Sequence, residues 1–380
     1  MLENLARLQE RWDRVYHRME DEGWDALAVC GTSAVGEFGY LAYLTGFVPV
    51  TGHAYAIFRP GQRPTLFIPS EADLESTNGF SDVGDVHVTG EADALAKGPI
   101  IGMLVDAIGQ QSVRKLGIVG LARIVPAGHY QAIVAALPDT MIEDGTDLVA
   151  GLKAQKQPYE IDKVKEAAAL VEDVLEEGAK CVDEGVPARD VIAHVEAELR
   201  RRGALRSLVF VNSGPHYARL ATDAVLRRER LITILVEAAS PAGYWAEIGG
   251  GFSVGAPPET DRAIAEACEE ALRQLRAAIK PAVAVAEAHR IYRQVGEDAG
   301  LRFGRGLGHG VGVDHDAPAL RRDSRGLFEE GNVLSVHPHY VSVAAHAGCA
   351  LVDMLLVESS GATSLFRKSR SLCVLPPGAS

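Results

Sequence analysis

The sequence has few cysteines, no basic block and no long apolar run, and each lack removes a class of function. Its five cysteines, Cys30, Cys181, Cys268, Cys349 and Cys373, are odd in number and far apart, with no CxxC pair. Neither a disulfide framework nor a cysteine-based zinc or redox site is readable from them, and they are expected as reduced thiols of a cytoplasmic protein. No run of five or more Lys or Arg interrupts a chain of formal charge −13, so nucleic acid and anionic membranes find no electrostatic footprint. No apolar stretch reaches the ~18 residues of a membrane-spanning helix. The start, MLENLARLQERWDRVYHRMEDEG, is charged and helical in pattern, unlike a basic signal peptide. Low-complexity tracts and repeats of solenoid period are also missing.

What remains is the composition of a globular protein, 47% hydrophobic and 23% charged over 380 residues, a length that suggests two domains. The first ~150 residues alternate helical stretches with short apolar runs, WDALAVC, HAYAIF, PTLFIP and KLGIVG, an α/β pattern. A boundary falls near LKAQKQPYEIDKVKEAA, where Ile161, Val164, Ala168, Val171 and Leu175 begin to recur at helical spacing. Beyond it, a helix around 188–201, strands at SLVFVNSG and LITILVEAA, two helices between about 260 and 298, and strand-like runs NVLSVHPHYVSVAA and CALVDMLLVES predict a sheet covered by helices. The expectation is an α/β N-terminal domain over 1–153 and an α+β C-terminal domain over 154–380.

Four segments, GYLAYLTGF, LKAQKQPYEIDKVKEAA, GRGLGHGVGVDHDAP and FEEGNVLSVHPHYV, resemble in order and interval the creatinase, prolidase and aminopeptidase P family. That resemblance implies a creatinase-like N-terminal domain followed by a pita-bread catalytic domain. It also implies two divalent metals held by two Asp, one His and two Glu, because a metal pair can activate water and polarise a carbonyl together. In this sequence Glu237 and Glu247 are the only acids of LVEAASPAGYWAEIGGGF, ten apart where the family spaces its Asp pair by eleven. Aligned on Glu247, the first position falls on Val236. His309 matches the metal His, His337 stands at the first Glu position, and Val352 at the last. A two-metal peptidase is therefore not expected, and the degenerate metal site suggests creatinase, the metal-free member, as the nearer relative.

The resulting expectation is a metal-independent, creatinase-like hydrolase of a C–N bond (amidino, amide or cyclic amidine) in a small polar substrate derived from an amino acid, with no cofactor. His216, in the loop VNSGPHYARLATD, relays the proton in this scheme, since either form of a histidine is populated near neutral pH. Its bland alternative is a surface-loop histidine. His309 and His337 polarise the electrophile, and His315, in the loop matching HEAP, contacts substrate or its transition state. Glu247 and Glu237 hold a cationic group, with His339 and Tyr244 as further substrate-binding residues. The first alternative is a mononuclear enzyme with one Fe, Mn or Zn ion on His309, His337 and Glu247 and oxidative or lyase chemistry. The second is a non-catalytic pita-bread binding module. The expected partner is a small molecule, with no nucleic acid or membrane, in a cytoplasmic homodimer.

Overall fold

A computed structural model describes residues 5–76, 83, 85–90, 99–109, 112–216 and 223–378. The chain divides into two compact units, Met1–Lys153 with Val313–His315, and Ala154–Gly312 with Asp316–Ser380. No helix among the described residues is long and apolar enough to cross a membrane.

The first unit is an α/β domain around a mixed six-stranded sheet. Its strand order is Asp85–Val88, Thr65–Ile68, His53–Phe58, Ala26–Thr32, Lys115–Val119 and Met141–Asp144. The central strand Ala26–Thr32 is buried along its whole length, which is why WDALAVC reads as a continuous apolar run rather than an alternating one. The helix Leu5–Glu22 buries Leu8, Trp12, Val15 and Met19 at three- and four-residue intervals. Residues 313–315 belong here because the buried Asp314 carboxylate accepts the amides of Gly36 (2.8 Å) and Gly39 (3.0 Å).

The second unit is α+β, with the architecture expected for the pita-bread domain. Its four-stranded sheet runs Leu372–Leu375, Trp245–Val254, Ile232–Ala239, Arg206–Asn212. A five-stranded sheet runs His315–Ala319, Gly308–Val311, Val333–Val336, Asp353–Glu358, Gly361–Ser364, and a three-stranded sheet Arg302–Phe303, His339–Ser342, Ala347–Ala350. The helix Pro158–Ala179 opens on a capping box between Gln157 and Glu160, with Pro158 in its first turn, which satisfies amides that no helical carbonyl can reach. Helices Glu259–Ala278 and Val285–Asp298 bury Ile264, Cys268, Leu275, Ile291 and Tyr292 in a core shared with Leu334, Val336 and Leu355.

The core of the first unit contains titratable groups. The Tyr55 hydroxyl lies 2.8 Å from Nδ1 of His129, with His53 edge-on to the same ring at 5.4 Å. Burial, with a smaller contribution from the neighbouring His53, pushes the His129 imidazole down to about 4. The folded value lies below the unfolded ~6.5, so the unfolded chain binds more protons between them. This contribution to stability is therefore complete above ~6.5 and is lost as pH falls toward 4. At pH 5 the loss should be about 2 kcal/mol, read as faster amide hydrogen exchange, corrected for intrinsic rate, in Ala26–Thr32 and His53–Phe58. His129→Gln should remove most of that pH dependence; an unchanged dependence would refute the assignment.

Candidate active site

The site is built by two sheets of the second unit. Strands Ile232–Ala239 and Trp245–Val254 form an antiparallel ladder, closed by a turn in which the Gly243 amide donates to the Ser240 carbonyl at 2.8 Å, with Gly243 at φ +83°. The register sets Glu237 directly opposite Glu247, and Val236 opposite Ile248. Opposed residues project from one face with Cβ atoms ~5 Å apart, so the two acids share a face while Val236 points to the other. This corrects the alignment that put the first acidic position on Val236. Glu237, not Val236, is the residue that shares a sheet face with Glu247.

In the five-stranded sheet His309 is the register partner of Ser335. A Cβ on Gly308 would lie 2.0 Å from the Ser335 carbonyl oxygen, and one on Gly310 2.0 Å from that of Ala317. Only glycine on each side of His309 lets the neighbouring strands approach this closely. His337 follows the end of the adjacent strand, held by its amide donating to the Leu307 carbonyl at 2.7 Å.

These elements converge on Glu247, which is buried at 2% exposure. Its Oε2 accepts the Ser335 hydroxyl at 2.8 Å, and its Oε1 lies 3.4 Å from Nε2 of His309. Nδ1 of His309 lies 2.9 Å from the Gly310 carbonyl oxygen, which can only accept. Nδ1 therefore carries the proton, and in the neutral ring Nε2 presents its lone pair toward Glu247. The His309 and His337 rings are 5.6 Å apart, and one donor atom from each of Glu247, His309 and His337 lies within 4.8 Å of the others. Two ligands bound at roughly 2.1 Å with a tetrahedral angle stand ~3.4 Å apart, which is the separation seen here between Oε1 and Nε2. Two imidazoles and a carboxylate suit Zn, Mn or Fe. The residues thus fit one divalent ion.

The remaining expected residues are not part of the Glu247, His309 and His337 cluster. Val352 bridges Gly249 and offers no donor atom. His339 begins a strand of a different sheet from the one that ends at Val336, so His337 and His339, separated by Pro338, do not share one strand face as their spacing suggested. His339 is buried, its Nε2 3.0 Å from the Pro215 carbonyl oxygen, and burial pushes its imidazole down to about 4. The exposed His216 stands edge-on to the His339 ring at 5.9 Å. The buried Tyr244 hydroxyl donates to Oε1 of Glu160 at 3.3 Å, and His315 opens the edge strand His315–Ala319 of the sheet that carries His309. Sequence reasoning missed Ser335, whose position facing His309 needs the strand register to be seen. It also missed Lys156, which forms a 2.8 Å ion pair with Asp316, each side chain 1% exposed. The lysine was visible in LKAQKQPYEI, but its partner lies 160 residues on.

Residues 162–359 match the model for metallopeptidase family M24, and residues 11–154 that for the creatinase/prolidase N-terminal domain. An Xaa-Pro dipeptidase of Pyrococcus horikoshii is 23% identical over 375 residues, 96% of this chain and 99% of the relative. Among solved structures, dipeptidase PepE from Mycobacterium ulcerans superposes with a TM-score of 0.83 at 23% identity, covering 99% of this chain and 100% of that one. Prolidase from Pyrococcus horikoshii OT3 gives 0.80 at 21% identity, with 95% and 99% covered. Two expectations are overturned. A metallopeptidase family with relatives named as dipeptidases points to peptide hydrolysis in place of metal-independent cleavage of an amidino or amidine C–N bond. The expectation of no cofactor gives way to a donor cluster, Glu247, His309 and His337, suited to a metal ion.

The Ser335 hydroxyl is the visible support of the buried Glu247 Oε2. Ser335→Ala should lower unfolding free energy by about 1.5–3 kcal/mol, the range for a hydrogen bond to a buried charged group. Urea denaturation checks it, and a change below ~0.5 kcal/mol would show that the bond does not hold the carboxylate.

Proposed function

The chain belongs to metallopeptidase family M24, with a creatinase/prolidase N-terminal domain ahead of the family's own, and on that premise we propose that it is a metal-dependent hydrolase cleaving the amide bond of a dipeptide-sized substrate. The observation that carries this reading is the convergence of donor atoms from Glu247, His309 and His337 within 4.8 Å of one another. A divalent cation bound there would act as a Lewis acid, polarising the scissile carbonyl and acidifying a water. The chain's own residues do the rest. Ser335 and the Gly310 carbonyl fix Glu247 and His309 before any ligand arrives, so no reorganisation is needed during reaction. Glu237, on the same sheet face as Glu247, accepts the proton of the attacking water and returns it to the departing amine. The same reading takes the protein as a cytoplasmic homodimer acting on small molecules.

Xaa-Pro dipeptides are the first substrates to assay, because a relative named for them aligns along nearly the whole chain. Activity should vanish on stripping with a chelator and return with Mn²⁺, Zn²⁺ or Fe²⁺. His337→Ala and Glu247→Gln should each weaken metal retention by more than ~100-fold, beyond the 10- to 100-fold typical of outer-shell changes. Glu237→Gln should lower kcat with metal retained. Full activity in metal-stripped protein would overturn the reading.

A further inference from the structure

We propose that the buried ion pair between Lys156 and Asp316 positions the metal cluster, by fixing the strands that carry Glu247, His309 and Ser335 against one another. The inference rests on the metal-dependent reading above and deepens it. The pair lies at the turn that follows the His309 strand. Lys156 Nζ stands 2.8 Å from Oδ2 of Asp316, each side chain 1% exposed. A Cβ on Gly312 would lie 2.5 Å from that Oδ2 and 2.7 Å from Cε of Lys156, so only glycine leaves room for the pair to close. The Gly312 carbonyl in turn accepts the Trp245 amide at 2.8 Å, two residues before Glu247 on the same strand. The main chain around Lys156 is held from another side. Its amide donates to the Gly331 carbonyl at 3.0 Å, and Nδ2 of Asn332 donates to the Ala154 carbonyl at 3.1 Å. Gly331 and Asn332 lead directly into Val333–Val336, the strand of Ser335.

Lys156 therefore meets the ends of all three strands that build the cluster. Lys and Asp are rarely buried this deeply, and only when paired. Such a pair is a weak source of stability, because desolvating two charges offsets their attraction and apolar replacement of both is often neutral or stabilising. What it supplies is a fixed distance between the groups it joins, held by a charge-assisted hydrogen bond in a low dielectric. The cluster has need of that. Glu247 and His309 stand on strands of different sheets, so no ladder of backbone bonds sets the 3.4 Å between Oε1 and Nε2. Metal coordination tolerates only about 0.2 Å in each ligand distance, and a small slip of one sheet against the other exceeds it.

Cobalt(II) is the probe, titrated into full-length metal-stripped protein, with affinity taken from competition against a chelator and ligand geometry from the visible absorption bands of the ion. The double variant Lys156→Met/Asp316→Leu removes both charges at similar volume. It should fold by circular dichroism with a Tm close to that of the wild type, bind Co²⁺ roughly 10- to 100-fold more weakly, the range for groups that orient metal ligands, and show shifted bands. Unchanged affinity and bands in the folded double variant would overturn the proposal. So would a fall in Tm with affinity and bands unchanged, which assigns the pair to folding alone. If the double variant does not fold, Asp316→Asn, which keeps the shape of the side chain, decides by the same two readouts. A wild type that binds no Co²⁺ overturns the metal-dependent reading and this proposal with it, whereas a negative result confined to the variants leaves that reading standing.

Discussion

The ladder between Ile232–Ala239 and Trp245–Val254 is the constraint on which the site depends. It places two carboxylates, Glu237 and Glu247, directly opposite each other, an arrangement that destabilises a sheet unless something cationic or proton-donating offsets it. Burial of Glu247 sharpens the demand, since an ionised carboxylate out of water needs partners on both oxygens. The Ser335 hydroxyl meets it at one oxygen, while the other faces the Nε2 lone pair of His309 at 3.4 Å, an arrangement that a cation between them would stabilise. Both partners arrive from the second sheet as register partners of each other. The docking of the two sheets and the electrostatics of the site are thus one problem with one solution. A one-residue slip of the first ladder would turn Glu237 to the other face and dissolve it.

Glycine makes that docking possible. Gly308 and Gly310 bring strand backbones nearer to His309 than any side chain would allow, and Gly249 does the same for Val352. Glycine weakens an ordinary strand because it packs nothing and loses much entropy on folding. Here the loss is offset by neighbours that fill the vacated volume. Val352 covers Gly249, and Cys349 with Leu351 lies over Gly251. The run EIGGGFSV is therefore a fully buried strand in spite of its composition.

Much of this was legible in the sequence. Apolar periodicity placed the helices near 158–179 and 259–298, and the motifs around His309 and His337 identified the pita-bread domain. The failures share a cause. The alignment to Val236 failed because residue spacing does not say which acid shares a face with Glu247, whereas cross-strand pairing shows that Glu237 does. The shared face of His337 and His339 failed because Pro338 separates two strands of different sheets, and period-two reasoning assumes one continuous strand. The metal-free expectation failed because ligands were counted by identity. His337 differs from the acid implied by the family resemblance, yet its ring nitrogen reaches the same small volume as His309 and Glu247.

The pattern of losses has its own logic. The five ligands implied by the resemblance, two Asp, two Glu and one His, carry four negative charges for two dications. Glu237, Glu247, His309, His337 and Val352 carry two. Each change from that set either preserves charge, as Glu for Asp does, or removes one unit, as His337 and Val352 do. Random decay of a metal site would leave its surviving carboxylates short of counter-charge or its histidines without an acidic neighbour, and either is costly in a buried setting. What stands here is a buried carboxylate and an imidazole already oriented by Ser335 and Gly310.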